Sequence, residues 1–137
     1  MLAAIPLTII PLIVFNALGF ALGGAPWGNV LFTIPLISGV AWSITISDLM
    51  LLLGLAMLFF ETLRSAQAPN AANIANHIIS TILLIVYIVE FIVVPVAGGS
   101  LFFLLTVIAL FDVVAGFTIS IKTAQRDISL DGAARVS

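Results

Sequence analysis

Three acidic residues of this chain lie in or beside strongly apolar stretches, where a carboxylate could exchange a proton or hold a cation. Asp112 lies within the run LFFLLTVIALFDVVAGFTIS, Glu90 within YIVEFIVVP, and Asp48 within TISDLMLLL. An aspartate at the centre of a bilayer costs about 2.5–3.5 kcal/mol on insertion scales, so such residues usually face protein or water. Each of the three is therefore a candidate proton or cation site.

Asp112 has a structural interpretation as well. On a helical wheel the small residues Ala109, Ala115 and Gly116 flank it on one side, and small residues let helix backbones approach closely. We therefore expect this face of the helix to pack against another helix. There, Asp112 is either a protonated side chain that hydrogen-bonds a neighbour or an exchangeable ion site.

The other two carboxylates lie nearer to the ends of their apolar stretches. Asp48 follows Ser47 at a predicted helix start, where both residues can cap the unpaired first-turn amides. Glu90 either extends toward the nearer membrane surface or relays protons to Asp112. Tyr87, one turn before Glu90, is an available hydrogen-bond donor for it.

Another group of polar residues lies where the second predicted helix ends and the third begins. Glu61 precedes Arg64 by three residues, which favours a solvated ion pair at the membrane surface. Asn76 and His77 open a helix in NAANIANHIIS, where we expect them to cap the helix start; proton entry is the alternative. His77 has no second histidine or carboxylate at metal-ligand spacing, so no metal site is predicted.

The sequence lacks the common catalytic signatures. It contains no G-x-S-x-G, H-E-x-x-H or phosphate-binding loop. Without cysteine it has no thiolate nucleophile or thiolate metal ligand. Asp48 and Asp112 lie at depths too different for an intramembrane aspartyl protease pair. We therefore expect no enzymatic activity and no cofactor.

All of these residues must be positioned by a membrane-embedded fold. Of 137 residues, 63% are apolar and only 7% are charged, and the mean hydropathy is +1.36. A soluble domain carries about 25% charged residues, so the chain is predicted to be an integral membrane protein in contact with the lipid bilayer. No basic patch indicates nucleic-acid binding.

The apolar stretches predict an all-α membrane protein with four transmembrane helices, because a helix needs about 20 residues to cross the hydrocarbon core. The predicted spans are residues 2–22, 48–63, 75–94 and 101–121. They form one domain over residues 1–121, and the polar tail over residues 122–137 is expected to fray. A secretory signal is the alternative for the first span, but signal peptides begin with basic residues and none precedes Arg64.

The basic residues predict the orientation of the bundle. Arg64, Lys122 and Arg126 follow the second and fourth spans, whereas residues 23–47 and 95–100 contain no lysine or arginine. Because basic residues accumulate in short cytoplasmic loops, both termini and the polar tail are predicted to be cytoplasmic.

Residues 31–47 form the least helix-like part of the apolar sequence. From Val40, apolar residues alternate with small and polar ones in VAWSITIS, which is typical of a β-strand. We predict an external β-hairpin between helices 1 and 2, lying on the membrane surface; a short or re-entrant helix is the alternative. Trp27 and Trp42 fall in this region and are predicted to anchor it at the interface.

The first predicted span carries a small-residue motif. Asn16, Gly19 and Gly23 share one helical face, and the two glycines form G-x-x-x-G, a recurrent arrangement for helix packing. We expect this face to pack within the bundle rather than to form a homodimer.

Two stretches of the chain resemble a group of small, uncharacterised bacterial inner-membrane proteins with four helices. These are SGVAWSITISDLMLLLGLAMLFFETLRS and VEFIVVPVAGGSLFFLLTVIALFDVVAGFTISI. The features that carry the resemblance are SG-x-x-W-x-x-T-x-x-D at the entry to the second span and D-V-V-A-G-F in the fourth. The resemblance implies a multi-pass protein of the bacterial cytoplasmic membrane, and it implies no activity, substrate or partner.

Two functional hypotheses follow. In the first, the chain is a small accessory or scaffolding subunit whose buried carboxylates fix helix packing or partner contacts. In the second, it is a proton- or cation-coupled transporter or channel component that uses Asp48, Glu90 and Asp112. Four helices rarely enclose a transport path alone, so the second hypothesis implies a homo-oligomer or a larger membrane-protein partner.

Overall fold

The computed structural model describes residues 4–24, 26–68 and 70–136. It confirms the prediction of a mostly helical chain with a β-hairpin between the first two helices. In chain order the elements are α1 (Ile9–Ala21), β1 (Val30–Pro35), β2 (Ala41–Thr45), α2 (Ile46–Gln67), α3 (Asn70–Val93) and α4 (Ser100–Val136), with short 3-10 turns at Pro26–Gly28 and Pro95–Ala97.

Three of the helices are long and apolar enough to cross a membrane, namely Ile46–Gln67, Ala71–Val93 and Ser100–Arg135. The first helix is apolar but shorter than the predicted span over residues 2–22. Its 13 residues extend about 20 Å, less than the hydrocarbon thickness of about 30 Å. Prolines explain the difference: α1 begins only after Pro6, and Pro11 lies in its first turn, where a missing N–H is tolerated.

The last helix lies at the centre of the bundle, because α4 packs against both α2 and α3. Its buried apolar residues are Leu101, Phe102, Leu105, Ile108 and Ala109. α4 lies close to α2 at Gly54, where a Cβ atom would lie 2.9 Å from Leu105 Cδ2 and 3.0 Å from Ile108 Cδ1. The α2–α4 interface therefore depends on the absence of a side chain at this position.

The helices are longer than predicted at the end of the bundle away from the hairpin. α2 continues to Gln67, and α3 already begins at Asn70. α4 continues as one helix to Val136, so the predicted fraying is wrong for residues 122–136, and residue 137 lies outside the described residues. The stretch 122–137 contains no proline, and seven of its 16 residues are the helix formers alanine, arginine, glutamine or lysine, so no proline ends the helix at the predicted membrane surface.

The hairpin consists of the antiparallel strands β1 and β2, in place of the alternative short helix. Its two faces differ in polarity, as the alternation from Val40 predicts. The turn between the strands contains Gly39 at a φ of 85°, a conformation that other residues rarely adopt. The register pairs Phe32 with Ile44 and Ile34 with Trp42 on the apolar face, and Thr33 with Ser43 on the polar face.

Candidate functional site

Polar side chains within the apolar bundle gather around one stretch of backbone, residues 5–8, which precedes α1 and is not α-helical. These side chains belong to α2, α3 and α4, and we call them the polar cluster. Three of them are almost fully buried, with exposed fractions of 1% for Glu61, 1% for Tyr87 and 5% for Asp112. The members of the polar cluster are Glu61, Arg64, Asn76, Tyr87 and Asp112.

Glu61 accepts three hydrogen bonds inside the polar cluster. Its Oε2 accepts one from the backbone N–H of Leu7 at 2.9 Å and one from Arg64 Nη2 at 2.8 Å. Its Oε1 accepts one from Asn76 Nδ2 at 2.7 Å. Such bonds are needed because a buried charge is stable only when it is paired and hydrogen-bonded. Glu61 thereby joins α2 to α3 and to the segment that precedes α1.

Asp112 binds the next residue of the same segment. Thr8 Oγ1 donates a hydrogen bond to Asp112 Oδ2 at 2.9 Å, while the Ser80 hydroxyl donates to Asn76 Oδ1 at 3.4 Å. Thr8 is the N-cap residue of α1. The carboxyl group of Asp112 therefore lies at the positive end of that helix dipole, where a negative charge is favoured. Asp112 anchors α4 to the start of α1.

The polar cluster also bonds the backbone of residues 5–8. The carbonyl of Ile5 accepts a hydrogen bond from Arg64, and that of Thr8 accepts one from the Tyr87 hydroxyl at 2.8 Å. The N–H of Leu7 is the donor to the glutamate described above. Non-helical backbone at membrane depth is tolerated only where it is buried in protein or lines a water-filled cavity. The polar side chains thus supply partners that a continuous helix would have supplied itself.

The prediction that Asp112 faces another helix is confirmed by its burial and by its neighbours. Ala109 is 2% exposed and belongs to the core. Ala115 and Gly116 are half-buried, and a Cβ atom at Gly116 would lie 3.4 Å from His77 Nδ1. These small residues therefore allow α4 to lie close to α3.

The predicted ion pair between Glu61 and Arg64 is present, with 2.8 Å between Nη2 and Oε2. Its predicted solvation is wrong for the glutamate, which is buried, although 30% of the arginine side chain is exposed. The difference arises because residues 5–8 cover Glu61, whereas a continuous first helix would have left no free N–H to bind it. Tyr87, which the sequence makes available as a donor for Glu90, instead donates its hydroxyl hydrogen to the carbonyl of Thr8.

Asn76 and His77 do not cap a helix start, because α3 begins earlier, at Asn70. Asn76 is buried and donates to Glu61 instead. The ring of His77 lies 5.4 Å from that of Phe117 on α4. Both residues thus act at the α3 interfaces rather than at the helix end.

The three candidate ion-site carboxylates have separate surroundings. Asp48 is exposed and forms a capping box with Thr45, whose N–H donates to Asp48 Oδ2 at 2.8 Å. This confirms the capping role of Asp48, with Thr45 rather than Ser47 as the N-cap residue. Glu90 is half-buried and lines a cavity between α1 and α3 beside Asn16. Only Asp112 belongs to the polar cluster.

The G-x-x-x-G prediction is right for its first glycine and wrong for its second. A Cβ atom at Gly19 would lie 3.0 Å from Val96 Cγ1 and 3.6 Å from the Trp27 ring. Gly23 lies beyond the end of α1 with a φ of 64°, and no described atom lies within 4 Å of its missing Cβ. Gly23 therefore ends the helix. Asn16 bonds within α1, to the carbonyl of Leu12 at 3.0 Å.

The two tryptophans predicted as interface anchors have different surroundings. Trp27 stacks on Phe15 with ring centroids 4.2 Å apart, so it packs against the core. Trp42 lies on the apolar face of the hairpin and is 49% exposed. A position at the membrane interface stays a prediction for both.

Sequence reasoning missed Thr8 as the partner of Asp112. A signal for this contact was present, because Pro6 and Pro11 both occur early in the first apolar stretch. Prolines this close together indicate an interrupted helix, and an interruption leaves backbone groups that need side-chain partners.

Comparison with known proteins gives no relative, because no family model, curated protein or solved structure matches this chain. Within residues 4–24, 26–68 and 70–136, no group of three or more histidine, cysteine, aspartate or glutamate residues is placed to hold a metal ion. The interpretation of the site therefore depends on its own geometry.

Proposed function

We propose that this chain is a small accessory or scaffolding subunit of a membrane-protein assembly, and that the polar cluster holds its helices in one arrangement. The observation that carries this proposal is the bonding of the buried carboxylates. Glu61 accepts hydrogen bonds from Leu7, Arg64 and Asn76, and Asp112 accepts one from Thr8. Carboxylates bonded in this way from several elements fix the relative positions of those elements.

The outer surface of the bundle supports the same proposal. Long apolar side chains on α2 remain exposed, for example Leu52 at 62% and Phe59 at 60%. Such a surface suits contact with lipid or with another membrane subunit. The side chains of the polar cluster, by contrast, lie inside the bundle and hydrogen-bond to one another and to residues 5–8.

The proposed topology has four crossings, with both termini cytoplasmic and the hairpin outside. Leu7 bonds Glu61 far along α2, and Ile5 bonds Arg64 nearer to its end. Residues 5–8 together with α1 therefore run beside most of α2, which supports a first crossing that is part helix and part irregular backbone. The resemblance described above supports a bacterial cytoplasmic membrane as the location.

Purification of the tagged chain in mild detergent tests the proposal. Wild-type protein is expected to elute as an assembly of fixed stoichiometry, with itself or with another membrane subunit. Asp112→Asn should preserve this assembly, because its amide oxygen still accepts a hydrogen bond from Thr8. Asp112→Val should weaken it. A monodisperse wild-type monomer without a stoichiometric partner would contradict the proposal.

One observation favours a second candidate function, proton- or cation-coupled transport. Interrupted helices whose ends face ionisable groups are typical of transporter binding sites, and the start of α1 faces Asp112. Proteoliposomes distinguish the two candidates. Transport predicts flux that depends on a pH or ion gradient and is lost in Asp112→Asn, whereas the scaffold predicts no such flux for wild type.

A further inference from the structure

A second polar feature lies apart from the polar cluster, in a cavity of about 410 Å³ between α1 and α3. Valine and isoleucine side chains of α3 form its walls, and its polar lining residues are Glu90 and Asn16. Small-molecule pockets have volumes of about 300–1,000 Å³, whereas one water occupies about 30 Å³. The cavity is therefore large enough for an organic molecule.

Glu90 has an unused hydrogen-bond acceptor at this cavity. Its Oε1 atom is buried and has no hydrogen-bond partner among the residues that the structure describes. Asn16 lines the same cavity, where its Nδ2 donates one of its two hydrogens to the carbonyl of Leu12 at 3.0 Å. A buried acceptor without a donor is unfavourable. Glu90 Oε1 is thus available to a donor on a ligand, and a cationic donor bonds a carboxylate most strongly.

The walls of the cavity indicate where a ligand would come from. Ile85, Val89 and Val93 are 55%, 52% and 69% exposed, so the cavity opens sideways on the surface of the bundle. In a membrane this side faces hydrocarbon, and a ligand entering there must be lipophilic. No lysine or arginine occurs among the lining residues, so the phosphate of an aminophospholipid would have no cationic partner.

We propose that this cavity, which we call the Glu90 groove, binds a lipophilic primary ammonium ion. The ammonium group donates a hydrogen bond to the Glu90 carboxylate, and the hydrocarbon body packs against the valine and isoleucine walls. The inference goes beyond the scaffolding function and does not depend on it, because no residue of the polar cluster lines the groove.

Equilibrium binding of tritiated decylamine to the full chain tests this proposal. The protein is placed in phosphatidylcholine nanodiscs, and uptake by empty discs is subtracted. We expect saturable binding of one molecule per chain. Unlabelled decylamine should displace the label, whereas decanol, which has the same chain without the charge, should not. Addition of phosphatidylethanolamine to the discs should leave binding unchanged.

Two variants separate recognition of the charge from the shape of the groove. Glu90→Gln should weaken binding about tenfold or more, because it removes a charged hydrogen-bond acceptor. Val89→Phe should abolish binding by filling the groove while Glu90 is retained. The matched controls are Asp48→Asn, an exposed carboxylate elsewhere, and Ile92→Phe, an exposed α3 position that does not line the groove. Both controls should bind as wild type, and all variants should elute like wild type in mild detergent.

Several results would overturn the proposal. Binding that does not saturate, or that decanol displaces equally well, would show partition into lipid rather than a site. Equal affinity of Glu90→Gln and wild type for decylamine would show that the Glu90 carboxylate does not bind the ammonium group. Displacement by phosphatidylethanolamine would assign the groove to a bilayer lipid. Two chains per disc without amine binding would assign it to a helix of a second copy.

Discussion

Removal of the acceptor oxygens of Glu61 should destabilise the fold more than any conservative change elsewhere in the polar cluster. The carboxylate accepts bonds from Leu7, Arg64 and Asn76. Glu61→Leu keeps most of the volume but leaves these donors without an acceptor. Each buried donor left unsatisfied costs about 1–3 kcal/mol. Arg64 is partly exposed and can turn to water, so two donors remain and the expected loss is about 4 kcal/mol.

Glu61→Gln provides an internal comparison. Its amide oxygen still accepts hydrogen bonds in place of one carboxylate oxygen, but an NH2 group replaces the other oxygen and the negative charge is lost. Hydrogen bonds to charged groups contribute about 1.5–3 kcal/mol and neutral ones about 0.5–1.5 kcal/mol. The expected loss is therefore about 2 kcal/mol, roughly half of that for leucine.

The assay is titration of the protein in mild detergent with sodium dodecyl sulfate, followed by tryptophan fluorescence. Trp27 reports on the bundle because it stacks on Phe15 in the core. Asp131→Asn is the control, since it removes a carboxylate from the exposed part of α4 and should leave the midpoint unchanged. Losses below about 1 kcal/mol for both Glu61 variants, or greater stability of the leucine variant, would refute the assignment of a structural role to this residue.

Three further predictions use the same preparation or intact cells. Thr8→Val should lower the free energy of unfolding by about 1–2 kcal/mol because Asp112 loses its donor, and Thr8→Ser should restore most of it in the same titration. Gly54→Val should cost about 1–3 kcal/mol by forcing α2 from α4; Gly24→Val, which meets no described atom within 4 Å, is the control, and equal losses would contradict the close approach. Ile37→Cys at the hairpin tip should react with a membrane-impermeant maleimide in intact cells, whereas Asp131→Cys should react only after permeabilisation; the reverse pattern would contradict the proposed topology.

Structural features that follow from a strict period in the sequence could be predicted. The alternation from Val40 predicted the hairpin, because side chains on a strand alternate between two faces and the register places Trp42 opposite Ile34. The small residues around Asp112 predicted a protein-facing carboxylate for a similar reason, since a helix face repeats every three or four residues. In both cases the information was local.

The partners of the buried carboxylates could not be predicted, because they depend on contacts between distant parts of the chain. A helical wheel shows that Asp112 faces inward but not that Thr8 lies opposite it. The sequence of α2 places Glu61 one turn from Arg64, which indicates an ion pair, but burial of Glu61 requires backbone from residues 5–8. Thr8 is the single polar residue before Phe15, and this largely apolar composition concealed the late start of α1 after Pro6.

The separation along the chain between residues 5–8 and their partners has a consequence for biogenesis. Leu7 is 54 residues from Glu61, Thr8 is 79 residues from Tyr87, and Thr8 is 104 residues from Asp112. These early residues are synthesised long before the groups that bond them, and such non-local contacts form slowly. Until the last helix has been inserted, the polar groups of residues 5–8 lack these partners and need other hydrogen-bond partners, in the insertion machinery or at the bilayer surface. In the proposed topology, the first crossing to be made is therefore the last to be completed.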